Sequence, residues 1–290
     1  MGTTAHVVVC GGPADLAELA QRRIAELEAR WSRFLPVSEL SLLNAAPRGR
    51  PTVLSMDTYR LIDTAVRSWR ETEGRYDPTV LAAMIEHGYA RSFSTLPSDT
   101  SCRASLPRPT TGCAGIQLEP AIQSVVLPAG VGIDPGGIGK GLAADIVVEE
   151  LLAHGARGAL VDIGGDIRVE GEGPDGGAWI IDIEDPLDPE RVLLHLALHG
   201  AGIATSSRLR RRWHQNGVEH HHLIDPGTGE PIITRIVAVS VIAAQAWWAE
   251  ALTKAVLVAG DLTPVCGASA VIVDVHGRTV ATPDLEELLS

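Results

Sequence analysis

Residues 132–145 read Gly132-Ile133-Asp134-Pro135-Gly136-Gly137-Ile138-Gly139-Lys140-Gly141-Leu142-Ala143-Ala144-Asp145. Four glycines fall within the eight residues 134–141, and an apolar, helix-forming run follows. The block predicts a strand-to-helix turn over 134–141 and a helix over 140–154. It is not a P-loop, because Gly139-Lys140 is followed by Gly141 rather than Ser or Thr, and position 134 is Asp. Nor is it a dinucleotide fingerprint, since Leu142 stands where that pattern needs Gly or Ala. A glycine turn entering a helix still lets backbone N–H groups approach an anion, and helix N-termini favour phosphate. Lys140 adds a full positive charge there. An ordinary strand-to-helix turn with a surface lysine reads equally well, so the block alone does not decide.

Upstream, residues 5–10 predict a Val-rich first strand. Asp15 is placed to cap a long amphipathic helix that Pro36 ends. Leu16, Leu19, Arg23, Leu27, Trp31, Phe34 and Leu35 recur along it at helical spacing, all but Arg23 apolar. A shorter helix is expected over 38–44. A third is expected over 56–72, with Tyr59, Ile62, Val66 and Trp69 on one face, Ser55 at its start and Gly74 at its stop. Residues 92–114 are dense in Ser, Thr, Pro and Arg and read as an exposed connection. Short strands are expected near 115–118 and 124–127. Downstream, strands are expected at 159–162, 167–170, 178–183, 192–198 and 236–243. A helix over 246–259 and a hairpin of 269–275 with 279–281 close the chain. Helices come in blocks and strands in runs, without regular alternation, which argues for an α+β fold.

The chain has 290 residues, 45% apolar and 21% charged, enough for a substantial core. Lys and Arg number 24 against 36 Asp and Glu, a net charge of −12. Such a surface repels polyanions, so nucleic acid is an unexpected partner. No apolar run is long enough for a transmembrane helix, and the first ten residues lack the charged start of a signal peptide. The expected location is the cytoplasm. Cys10, Cys102, Cys113 and Cys266 form no CxxC, so free thiols are expected, a Cys102–Cys113 loop disulfide being the weaker reading.

Three further clusters stand out. Residues 205–213 hold Arg208, Arg210, Arg211 and Arg212, which read as a solvated basic face or as a partner for phosphates or acidic groups. His220-His221-His222 precedes the turn Asp225-Pro226-Gly227-Thr228-Gly229. On a strand His220 and His222 share a face, and with no further Cys or His at zinc spacing a zinc site is the weaker reading. Glu250 with Thr253 and Lys254 lies at i, i+3 and i+4 of a predicted helix, a pattern more often a stabilising ion pair than a site.

In order and spacing these clusters resemble the ApbE-type FAD:protein FMN transferases. The likeness begins at Met1-Gly2-Thr3 and continues through Trp31-Ser32-Arg33-Phe34 to Asn44 and Tyr76-Asp77-Pro78-Thr79-Val80. The glycine block is its most specific part. Val161-Asp162-Ile163-Gly164-Gly165-Asp166, Ala204-Thr205-Ser206, His222-Leu223-Ile224-Asp225 to Gly229, and Ala249-Glu250-Ala251-Leu252 complete it. The likeness spans nearly the whole chain. It implies a T-fold-related, ApbE-like α+β architecture, one domain of two intertwined parts with FAD between them. The implied reaction is metal-assisted attack on the FAD pyrophosphate, transfer of FMN to a threonine or serine hydroxyl of an acceptor flavoprotein, and release of AMP.

The resemblance also implies residue roles. Met1, Tyr76, Asp77, Asp134, Lys140, Ser206 and Ile224 would bind FAD, Met1, Tyr76, Asp77 and Ile224 lining the flavin or adenine pockets. The Gly137 carbonyl, Glu250 and Thr253 would hold Mg²⁺. His222 and Glu250 would be catalytic, His222 assisting proton transfer. The chain departs from the family pattern at Leu142, where an aromatic is frequent, and at Glu250, where the family has Asp. Lys254 stands where the family commonly has Thr. A lysine beside a magnesium site is electrostatically odd, so weaker metal dependence is expected: either Glu250 and Thr253 still bind Mg²⁺ with Lys254 turned away or contacting phosphate, or the Lys254 ammonium replaces much of the cation's charge. Water as acceptor would make the protein an FAD pyrophosphatase, and loss of catalysis would leave an FAD-binding protein.

Overall fold

The computed structural model describes residues 2–97, 99, 100 and 108–290. Met1 and Cys102 lie outside the described residues, as does part of the connection 92–114. In chain order the elements begin with β1 (Ala5–Cys10), α1 (Leu16–Trp31), α2 (Glu39–Ala45), β2 (Thr52–Val53), α3 (Met56–Glu71) and α4 (Leu81–Glu86). Next come β3 (Asp99–Thr100), β4 (Gln117–Glu119), β5 (Ser124–Val126) and α5 (Gly139–Ala153). Then follow β6 (Gly158–Ile163), β7 (Asp166–Gly171), β8 (Trp179–Asp185), β9 (Asp188–Leu198) and β10 (Gly200–Ser207). The chain closes with β11 (Arg212–Gln215), β12 (Val218–His221), β13 (Ile236–Ala243), α6 (Ala246–Ala259), β14 (Ser269–Asp274) and β15 (Thr279–Ala281). The fold is α+β, as expected. Two compact units emerge, one gathering Leu27–Gly139 and Arg210–Ile233, the other Thr3–Glu26, Lys140–Leu209 and Thr234–Ser290.

In the first unit α2 and α3 pack with the small sheet β2-β5-β4 around Leu40, Leu43, Ile62, Val66, Val125 and Ile133. Ser38 and Ser55 each accept a backbone N–H of the following turn, from Ser41 and Thr58, so both helices start where a hydroxyl satisfies an orphan donor. A second apolar group joins Ala83 and Met84 of α4 to Tyr89, Trp213 and Ile224.

In the second unit an antiparallel sheet runs β1-β6-β7-β10-β13-β14-β15. All eight residues of β13 are buried, because both faces of the sheet are covered there. Ile203 of β10 and its cross-strand partner Ile242 pack with Trp179, Ile181 and Leu196 of the β8–β9 hairpin. The alternate residues of β10, Gly202 and Ser206, face α6. Each large apolar side chain so covered contributes about 1.5–3 kcal/mol relative to exposure.

Three expectations are corrected. Helix α1 stops at Trp31, not at Pro36. The Pro36 ring would collide with the carbonyl of Ser32, four residues back. That carbonyl instead accepts the Ser38 hydroxyl at 2.7 Å. Strand β10 and helix α4 were not expected: β10 is built from small residues whose partners decide its state, and α4 is six residues long. The connection 92–114 is not exposed throughout, since Cys113 is fully buried and Gly112 donates to Thr79 Oγ1 at 3.1 Å.

Candidate functional site

The glycine block divides at the start of α5. Asp134 Oδ1 accepts the Gly136 N–H at 2.6 Å, and Pro135 O accepts from Ile138 and Gly139, so the turn closes over 134–139 and the helix begins at Gly139. Gly141 is thus helical, not part of the turn. Half-buried Gly137 lies in the turn itself.

In the first unit the structure brings together Asp77, Asp134 and the 222–229 motif. The Asp134 N–H donates to Pro78 O at 2.8 Å, next to Asp77. Asp77 Oδ1 accepts both the N–H and the hydroxyl of Thr79, and Oδ2 accepts the Thr110 hydroxyl. Thr110 N–H in turn donates to Pro226 O at 2.9 Å, tying the Asp225–Gly229 turn to Asp77. The Asp134 carboxylate pairs with Arg33 Nε at 2.8 Å, both side chains about 7% exposed. Arg33 also lies over the Phe34 and Tyr89 rings. Tyr76 and Ile224 are buried, and His222 is half-buried just past β12. His87 Nε2 holds Gly229 O at 2.8 Å, while His220 stacks on Trp213.

In the second unit Lys140, Asp166, Ser206, Glu250, Thr253 and Lys254 converge. Asp166 opens β7 after a two-residue turn, Gly164-Gly165, both at positive φ. Such a turn matches the twist of a hairpin and suits glycine. Lys140 Nζ donates to Asp166 Oδ2 and, at 2.7 Å, to Glu250 Oε1. Glu250 Oε2 accepts the Gly141 N–H at 2.9 Å, and Lys254 Nζ stands 3.6 Å from Oε1. Thr253 donates its hydroxyl to Glu250 O at 2.7 Å and therefore accepts from Ser206 Oγ, also at 2.7 Å.

The approach that allows this is tight. A Cβ on Gly141 would lie 2.5 Å from Ala246 O, and one on Gly202 would fall on the Ala246 backbone nitrogen. Asp145 of α5 caps α6 from outside, accepting the Ala246 and Trp247 N–H groups at 3.0 and 2.9 Å. The N-cap residue itself, Gln245, makes no side-chain cap.

Burial dominates the electrostatics. Desolvation pushes Glu250 up, but the Lys140 and Lys254 ammoniums and the Gly141 N–H outweigh it, leaving it below the usual range. Asp166 is pushed up to about 7, by burial first and by Glu250 second. Burial also depresses Lys254, against the pull of Glu250. Lys140 is held above its ordinary value because Asp166 and Glu250 overcome its desolvation. Two lysines thus face two carboxylates, Glu250 firmly ionised and Asp166 drawn by burial toward its neutral form, in a buried cluster whose charges largely offset one another.

Three of the four arginines point at different targets. Arg208 Nε donates to Ile236 O, Arg212 pairs with Glu219 across β11–β12, and Arg211, at φ +51, faces the Tyr89 hydroxyl. Cys10, Cys113 and Cys266 are free thiols. Among the described residues no three His, Cys, Asp or Glu side chains are grouped to hold a metal ion, and no helix is long and apolar enough to cross a membrane.

The magnesium ion implied by the resemblance finds a poor donor set at Glu250 and Thr253. Both Glu250 oxygens already have N–H donors, and Thr253 Oγ1 already accepts the Ser206 hydroxyl. A dication about 4 Å from a single ammonium is repelled by about 8 kcal/mol at an effective dielectric of 20. These residues do not fit Mg²⁺ as they stand. Arg33, Thr110, Asp145 and Asp166 carry no role that the sequence alone reveals. Asp166 was visible as the residue closing Gly164-Gly165, but the other three act through partners far away in sequence.

The ApbE family model matches residues 1–264. The chain is 32% identical over 269 residues to a protein of Vibrio cholerae named FAD:protein FMN transferase, covering 90% of this chain and 80% of that one. It is 30% identical over 274 residues to the Haemophilus influenzae protein of the same name, covering 90% and 79%. Among solved structures, the ApbE protein of Thermotoga maritima superposes with a TM-score of 0.87 at 27% identity, covering 100% of this chain and 96% of that one. The flavin transferase ApbE of Vibrio cholerae gives 0.81 at 25% identity, covering 100% and 96%. With its sequence matched over nearly its full length and its fold shared, the chain belongs to the ApbE family.

Proposed function

We propose that this protein transfers FMN from FAD to a threonine or serine hydroxyl of an acceptor flavoprotein and releases AMP. The observation that carries this reading is the buried cluster of Lys140, Asp166, Glu250 and Lys254 at the start of α5. In a chain of net charge −12 it sets two lysines, paired with two carboxylates, where a helix N-terminus also favours phosphate. The names of the relatives support the same chemistry. Phosphoryl transfer depends mostly on positioning and charge neutralisation, which this cluster supplies.

In the proposed reaction the acceptor hydroxyl oxygen attacks the phosphorus on the FMN side of the pyrophosphate. A new P–O bond forms, the bond to the bridging oxygen breaks, and AMP leaves with that oxygen. His222 is the proposed acceptor of the hydroxyl proton. Lys140 and Lys254 offset the charge on the leaving phosphate, and Ser206 and Thr253 brace Glu250 and α6. Asp134, held by Arg33, together with Tyr76, Asp77 and Ile224, forms the proposed flavin and adenine contacts.

The test is incubation with FAD and an acceptor flavoprotein carrying a flavinylation threonine. Flavin fluorescence on the acceptor band supports transfer. Free FMN and AMP in the absence of acceptor, with an unlabelled acceptor in its presence, would instead identify an FAD pyrophosphatase. FAD retained with neither product would identify a binding protein.

A further inference from the structure

The disagreement between the implied magnesium ion and the donors around Glu250 has a specific cause. Lys254 lies one helical turn beyond Glu250 on the same face of α6, and its ammonium is turned toward Oε1, not away from it. Lys140 reaches the same oxygen from α5, and the Gly141 N–H closes the other. Glu250 is fully buried, and Lys254 is only 18% exposed, so the contact is little screened by water. Thr253, the neighbouring hydroxyl, is fully buried and engaged with Ser206 and the Glu250 carbonyl. Mg²⁺ demands near-octahedral oxygen ligation and dehydrates reluctantly, and a carboxylate with two lysines at one oxygen and a backbone N–H on the other is a poor partner for it.

We infer that the Lys254 ammonium occupies, at Glu250, the charge role of a divalent cation, so that α6 holds no magnesium ion in this chain. Lys254 and Lys140 together then present the positive charge to the pyrophosphate. This last step rests on the proposed FAD reading, whereas the absence of a cation at Glu250 rests on the donor geometry alone. An ammonium tethered in the fold also makes charge neutralisation independent of the metal supply.

The experiment is a Mn²⁺ titration followed by the EPR signal of the free ion, with wild type, Glu250→Gln, Lys254→Thr and the double variant. Wild type is expected to withdraw no more Mn²⁺ than Glu250→Gln. Lys254→Thr is expected to gain a site, with affinity raised at least about tenfold, which the double variant loses. A stoichiometric site in wild type that Glu250→Gln abolishes overturns the inference, as does a wild-type site that Lys254→Thr fails to tighten. Should Lys254→Thr not fold, Lys254→Met keeps the aliphatic stem and serves the same arm. FAD binding, followed by flavin fluorescence with and without EDTA, is measured in parallel on wild type. Failure to bind FAD at all would refute the functional reading while leaving the Mn²⁺ result to judge the inference. FAD affinity unchanged by EDTA is the expected result, and loss of affinity restored by Mg²⁺ through Glu250 contradicts it.

Discussion

Asp134 and Glu250 are both buried carboxylates in family motifs, yet their surroundings differ in kind. Asp134 sits among hydrogen bonds: its own turn, the Pro78 carbonyl, and a single cation, Arg33. Glu250 sits among charges, with two lysines at Oε1 and Asp166 bound to the same Lys140. The first region fixes geometry, because its groups are mostly neutral donors and acceptors with strict directions. The second sets a local potential, because its charges act over distance and lose little to solvent. Damage to the second should therefore spread to both stability and chemistry, while damage to the first should remain local.

The largest effect is expected from Glu250→Ala, which leaves two buried ammoniums without their shared partner. Breaking a buried pair costs about 3–5 kcal/mol, read as a drop in the urea midpoint. FMN transfer should fall about 100-fold, equivalent to about 3 kcal/mol of lost transition-state stabilisation. A stable Glu250→Ala protein would erase the distinction between the two regions. Gly202→Ala comes next, at about 1–3 kcal/mol, because a methyl group meets backbone rather than a flexible side chain.

Asp145→Ala removes the cap of α6 and should cost about 1–2 kcal/mol, with faster amide exchange at Ala246 and Trp247. A smaller loss, about 1 kcal/mol, is expected of Thr110→Val, seen as weaker FAD binding through a loosened Asp225–Gly229 turn. Arg212→Ala should change stability by less than about 1 kcal/mol, since its pair with Glu219 is exposed.

The pH dependence sharpens the same contrast. Asp166 titrates at about 7 in the folded protein, against a model-peptide value of 3.8. Folded chains thus hold a proton that unfolded chains release, so this group's contribution to stability declines as pH rises through the folded value. Between about pH 6 and 8, wild type should lose more stability than Asp166→Asn in urea denaturation, because the amide has no proton to release. An equal loss in both proteins would mean that Asp166 is ionised throughout.

Much of this molecule is legible without coordinates where local chemistry suffices. The bounds of β13 and α6 follow from β-branched and alanine-rich runs, and the start of α3 from a single serine. Strand β10 escaped because Gly, Ala, Thr and Ser carry little intrinsic preference, and its state is chosen by β7, β13 and α6. Apolar spacing carries the pattern of α1 past Trp31 because it does not register the clash between Pro36 and the Ser32 carbonyl.

Periodicity, turn chemistry and the order of the motifs settled the fold class, the helix starts, the glycine turn and the family resemblance. These are properties of near neighbours in the chain, or of patterns that survive as strings. The pairing of Lys140 with Asp166 and Glu250, the inward turn of Lys254, the capping of α6 by Asp145 and the Arg33–Asp134 ion pair belong to the tertiary structure alone. The partners in all but the Lys254 contact are 26 to more than 100 residues apart. For Lys254 the spacing allows contact, but only burial around α6 decides that the ammonium points at Glu250 instead of at water. Which charges neutralise one another is thus set by packing, because burial determines how strongly each is felt.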